Sequence, residues 1–128
     1  MNISQAAKLT GLSAKQIRDY EKRGLLKAGT RTLSGYLYYE ENDLARLRFI
    51  RHSRGVGFSL QQIAQLLQLQ DNPNRNSREV KQLTAQHIET LNAQIHALQK
   101  MVAELQRWHD NCQGNDCPEC SILAGLSE

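Results

Sequence analysis

Residues 13–26, Ser-Ala-Lys-Gln-Ile-Arg-Asp-Tyr-Glu-Lys-Arg-Gly-Leu-Leu, govern how the rest of the chain is read. Ser13 with Gln16 three residues on forms a capping box, which predicts a helix that runs through Ile17 and Tyr20 and stops at Gly24. Just upstream, Ser4 predicts the N-cap of an earlier helix, Gln5-Ala6-Ala7-Lys8-Leu9, which Gly11 can close by taking a positive φ. Two short helices joined by a Gly-containing turn make a helix-turn-helix.

Downstream, helical spacing disappears from Leu25 to Tyr39. Thr30, Ser34 and Gly35 punctuate short stretches such as Leu37-Tyr38-Tyr39, which predicts a small β-hairpin, or wing. Helical spacing returns at Leu44, Leu47, Phe49 and Ile50, ends near Gly55-Val56-Gly57, and restarts at a second capping box, Ser59 with Gln62. Asp71-Asn-Pro-Asn-Arg-Asn76 must break the helix before a new one opens near Ser77. Beyond it, Ile88, Leu91, Ile95, Leu98, Val102 and Leu105 alternate three and four apart, a heptad seam that one isolated helix cannot bury. At about 25 cal/mol per Å² of apolar area, such a seam facing a second copy supplies several kcal/mol, which favours a homodimer over packing on its own headpiece. The expected fold is mostly α. A winged helix-turn-helix DNA-binding domain at 1–70 is followed by a hinge at 71–76, a coiled-coil dimerisation helix at 77–109, and a metal-binding loop and tail at 110–128.

Composition agrees with this outline. A chain of 128 residues holds one small domain plus an appended helix, which leaves little room for a large catalytic cavity, and no enzyme is expected. Net charge is +3, but residues 1–60 carry +6 and residues 61–128 carry −3. The basic part is expected to attract a polyanion through counterion release. No run approaches the roughly 20 apolar residues of a membrane span, so a cytoplasmic protein is expected.

Lys15, Arg18 and Lys22 lie at i−3, i and i+4 of the second helix, so their side chains share a face that can meet double-stranded DNA in a major groove. Tyr20 and Arg23 flank it, and Lys27, Arg31, Arg51 and Arg54 add charge where a wing and a following helix would touch the backbone.

These residues resemble a known family. Ile17-Arg18-Asp19-Tyr20-Glu21, Gly24-Leu25-Leu26, Arg31-Thr32-Leu33-Ser34-Gly35-Tyr36, Tyr39 and later Gly57-Phe58-Ser59 are similar to the signature of the MerR transcription regulators. The resemblance implies a homodimer on a palindromic promoter with an overlong spacer. Its activator form bends and untwists the DNA so that RNA polymerase can read both promoter elements, with deformation energy as the regulated quantity. It also implies Tyr36 as a DNA contact, and it exposes one departure. Leu37 stands where the family usually places a phosphate-binding Arg after the Gly-Tyr of the wing.

The inducer is read from the C-terminal loop. Cys112 and Cys120 enclose seven residues, long enough to fold back so that both sulfurs face one ion. In a cytosol that keeps thiols reduced, a disulfide is the weaker reading. Thiolates select soft metals, and a two-thiolate site suits Cu(I), Ag(I) or Au(I), whereas divalent ions usually take three or four ligands. Similarity to the copper-efflux, CueR-like branch implies supporting roles for Ser77, where divalent-sensing branches carry a cysteine, and for Lys81, which offsets negative charge at the site; both would act across the dimer. Ser121 replaces the branch's usual proline after the second ligand.

Cys117 is extra relative to that branch, and Cys117-Pro118-Glu119-Cys120 is also a zinc or redox pattern. It is read as an auxiliary thiol, a third ligand or a redox partner. The alternative is therefore a sensor of Zn, Cd, Hg or Pb using Cys117, with or without His109. A thiol oxidoreductase is more distant, because no thioredoxin-like βαβ pattern surrounds the pair. Trp108 is expected to pack under the loop.

Overall fold

The computed structural model describes residues 1–27, 30–31, 35, 37–115 and 120–128, and of Thr30, Arg31 and Leu37 it describes the backbone. The chain forms two compact units, Met1–Val80 and Lys81–Glu128.

In the first unit, α1 (Ile3–Thr10) and α2 (Ala14–Lys22) form the helix-turn-helix. The cap of α1 is Asn2 rather than Ser4. Asn2 Oδ1 accepts the Gln5 N–H at 2.8 Å and Gln5 Oε1 accepts the Asn2 N–H at 2.9 Å. Asn caps as well as Ser, and only Asn2 has a Gln at the reciprocal position. The Ser13–Gln16 box opens α2 as expected, and α2 ends at Lys22, one residue before Arg23 caps it. Gly11 takes φ +76°, a left-handed conformation that favours glycine, and the end of the Arg51 side chain lies beside it.

The wing follows as β1 (Thr30–Arg31) and β2 (Leu37–Tyr38), antiparallel, with Thr30 opposite Tyr38 and Arg31 opposite Leu37. Then come α3 (Glu41–Gly55) and α4 (Leu60–Asp71), the latter opened by the Ser59–Gln62 capping box. Helix α1 packs on α2 and α3, and α3 packs on α4. Between them Ala6, Ile17, Tyr20, Leu26, Tyr39, Leu44, Leu47, Ile50 and Ile63 form the core. Two polar ties hold its edges. Arg46 donates from Nε to the Leu25 carbonyl at 2.7 Å and pairs with Asp71 at 2.9 Å, and the Tyr39 N–H donates to the Met1 carbonyl at 2.6 Å.

Helix α5 (Ser77–Asn111) has 35 residues, about 52 Å at 1.5 Å per residue. Its first turn, residues 77–80, belongs with the headpiece, so the first compact unit runs past the proline-containing break at 71–76. In the second unit the seam residues Ile88, Ile95, Leu98, Val102 and Leu105 are each more than half exposed in the single chain. Helix α6 (Ser121–Ser127) closes the described chain. No helix of the described residues is long and apolar enough to cross a membrane.

Candidate functional site

Two surfaces carry the chemistry, one in each unit. In the headpiece, Lys15, Arg18 and Lys22 are exposed along α2. The acidic residues of the same helix are otherwise engaged. Asp19 accepts from Arg23 Nε at 2.9 Å, and Glu21 accepts a short hydrogen bond from the Tyr39 hydroxyl. With those carboxylates turned to partners, the three cations dominate the outward face, the arrangement that phosphate contact needs.

Tyr39 was missed as a functional residue. Its ring is 1% exposed, and burial, then the hydrogen bond and charge of Glu21, raise the phenol well above its ordinary range, so it remains a donor at any working pH. The bond joins the end of the wing to α2 across 18 residues, a link that no local pattern could announce.

Tyr20 does not stand on the basic face. It is 5% exposed and part of the core, because positions 17 and 20 point inward when 15, 18 and 22 point outward. Its place among the expected DNA contacts therefore becomes a packing role. Arg54 is exposed near the end of α3, with Nη1 3.4 Å from the Phe58 carbonyl, while the Arg51 guanidinium lies against Gly11. The Arg31 backbone lies in β1; its side chain, and Tyr36 altogether, lie outside the described residues.

In the second unit, Cys112 follows the last residue of α5 and Cys120 caps α6. Both are free thiols and half-buried, with their sulfurs 3.6 Å apart. That exceeds the S–S bond of about 2.05 Å. The Cys120 thiol is lowered below the ordinary thiol range, chiefly by the backbone N–H of Leu123, then by the Cys112 thiol, with the N–H of Ile122 adding to it. A lowered thiol yields thiolate, the form that binds metal.

Metal–sulfur bonds of about 2.3 Å place two ligands at most about 4.6 Å apart, so a pair at 3.6 Å can grip one ion in a bent arrangement and opens by about 1 Å for a linear one. The donor set therefore fits a soft ion.

His109 does not join them. Its side chain is 76% exposed and its Nδ1 lies 3.2 Å from Asp110, whose carboxyl is lowered by Gln106 first and His109 second. Among the described residues no group of three or more His, Cys, Asp or Glu converges on a metal position. Cys117 lies outside the described residues. Ser77 and Lys81 are exposed, at the first residue of α5 and one turn along it.

Comparison with known proteins gives this pairing of surfaces a family. The model described as "MerR HTH family regulatory protein" matches residues 1–70, and the one described as "MerR, DNA binding" matches residues 44–108. The chain belongs to the MerR family. As a MerR-family protein it is a DNA-binding transcription regulator and not an enzyme; such regulators bind promoter DNA, typically as dimers.

Among its relatives, a Haemophilus influenzae protein described as "Probable heavy metal-dependent transcriptional regulator" is 73% identical over 127 residues, covering 99% of each chain. The "HTH-type transcriptional regulator CueR" of Escherichia coli is 38% identical, covering 99% of this chain and 94% of CueR. Among solved structures, the MerR fold is matched by the transcription regulator PbrR691 from Ralstonia metallidurans in complex with Lead(II). It has a TM-score of 0.86 and 32% identity over 98% of both chains.

Proposed function

We propose that the chain is a metal-responsive activator that binds promoter DNA as a homodimer and turns on copper or silver efflux or detoxification genes when Cu(I), Ag(I) or Au(I) is held by Cys112 and Cys120. The observation that carries this reading is the pair of thiols 3.6 Å apart with no third ligand among the described residues. Two soft donors suit a singly charged soft ion, whose demand for ligands two thiolates can meet. Ser77, from the partner copy, supplies no thiolate that would raise the ligand number, and Lys81 of the same helix offsets the negative charge left by two thiolates and one monovalent cation. The name CueR among the relatives and the heavy-metal description of the relative at 73% identity support a metal as the signal.

On the DNA side, Lys15, Arg18 and Lys22 enter the groove, and Arg31, Tyr36 and Arg54 hold the flanking backbone, acting on RNA polymerase in the cytoplasm through the shape of the promoter. The exposed α5 seam is the dimer surface. Leu98→Glu is expected to raise the dimer dissociation constant by at least about a hundredfold, because each copy would bring an unpaired carboxylate into an apolar seam. Sedimentation of the variant as a dimer at low micromolar concentration would contradict this.

The second reading keeps the architecture and replaces the ion by Zn, Cd, Hg or Pb, with Cys117 as third ligand. The likeness to a regulator solved with Lead(II) favours it, as does the 3.6 Å separation, which suits a bent site without opening. X-ray absorption of the protein loaded with each metal separates the two. Two sulfurs per Cu(I), together with transcription induced by copper and silver but not zinc, supports the first. Three or four ligands around a divalent ion, with matching induction, replaces it by the second.

A further inference from the structure

The two thiols belong to segments that are tied together at a third point. Ser121 Oγ donates to the Trp108 carbonyl at 2.6 Å. That carbonyl lies in the last turn of α5, where a helix leaves acceptors without intrahelical donors. Ser121 is the residue after Cys120 and Trp108 is one turn before Cys112, so a single hydrogen bond joins the bases of both thiol-bearing segments.

One turn along the same face of α6 comes a second tie. A Cβ built on Gly125 would fall 2.3, 2.6 and 2.8 Å from Cε2, Nε1 and Cδ2 of Trp108. Real side chains do not approach so closely, so α6 can lie on the indole only because residue 125 is glycine.

We infer that Ser121 and Gly125 are positioning residues, which seat α6 on Trp108 and thereby set the separation of the Cys112 and Cys120 sulfurs. This rests on the reading that those two sulfurs hold the inducing metal. Without the ties, Cys120 would hang at the end of a seven-residue connection, and each binding event would have to close that loop. With them, the closure is completed during folding and less ordering is left to the ion.

The test uses the full-length protein, Ag(I) alone as probe in competition with a chromophoric chelator, and emission from Trp108, the chain's single tryptophan. Ser121→Ala is expected to weaken Ag(I) about three- to tenfold, the worth of one hydrogen bond. It should also shift metal-free Trp108 emission to longer wavelength and leave metal-free operator affinity unchanged. Ser121→Thr, which keeps the hydroxyl, should restore both signals. Gly125→Val should weaken Ag(I) on the order of tenfold or more, since the indole has no room to share. The inference is overturned if Ser121→Ala binds Ag(I) as tightly as the parent, or if Ser121→Thr behaves like Ser121→Ala. Cys112→Ser separates this failure from that of the metal reading: binding of Ag(I) at parental strength by Cys112→Ser would remove the metal reading itself.

Discussion

Cys112→Ser is expected to abolish metal-induced transcription while operator affinity without metal stays within about twofold of the parent, because the substitution leaves every cation of the headpiece in place. The physical ground is the small number of ligands. A site of two thiolates loses half its donors when one becomes a hydroxyl, and a hydroxyl is a poor ligand for a soft monovalent ion. A third donor would cushion the loss. Among the described residues there is none, and His109 faces solvent beside Asp110. Cys120→Ser should match it, and with it goes the thiol that the N–H groups of Leu123 and Ile122 hold below its ordinary range. The check is in vitro transcription from the cognate promoter with Cu(I) or Ag(I), paired with an operator-binding titration. Induction surviving in both single variants would move the metal elsewhere.

Arg18→Ala produces the opposite split. Operator affinity should fall about tenfold or more, because a dimer loses two guanidinium contacts at once, and the slope of log affinity against log salt should drop by about two. Metal uptake should not change. Arg18 lies in the unit Met1–Val80 and the thiols in Lys81–Glu128, so the substitution leaves the donor set intact. Binding isotherms at several salt concentrations would show it. An unchanged salt slope would mean that Arg18 is not at the DNA surface, and Lys15 and Lys22 would then have to carry the contact between them.

The sign of the charge on α2 is not enough for this expectation, because Asp19 and Glu21 share the helix. Their engagement by Arg23 and Tyr39 leaves the cationic face dominant. For the same reason Lys22→Ala is a weaker probe than Arg18→Ala. A lysine contributes a point charge, whereas the guanidinium fork can hold a phosphate or a base edge in two places.

Much of the headpiece could be read from local pattern because its signals are local. Capping boxes at Ser13 and Ser59 bring donor and acceptor together within three residues, and the inward spacing of Ile17 with Leu44, Leu47 and Ile50 needs only helical period. The first cap was misplaced to Ser4 because two good capping residues stand two apart, and only the reciprocal bond of Gln5 distinguishes them. Tyr20 was assigned to the DNA surface by its position beside Arg18. Its helical position beside Ile17, three residues away, places it on the inward face, a signal the sequence already carried. The wing was legible as a hairpin, with register Thr30 to Tyr38, while Tyr36 and the side chains of Arg31 and Leu37 lie outside the described residues.

From residue order alone came the helix-turn-helix, the break before Ser77, the apolar seam of α5 and the two cysteines enclosing seven residues, because capping, helical period and loop length are properties of neighbours along the chain. Three-dimensional packing decided that Tyr39 clamps Glu21, that the Cys112 and Cys120 sulfurs stand 3.6 Å apart, and that Trp108 receives both Ser121 and Gly125. Each of these joins residues between 8 and 18 positions apart or depends on a neighbouring helix. Such contacts exist only once side chains from separate elements have been pressed against one another, and their distances follow from packing that no window of sequence contains.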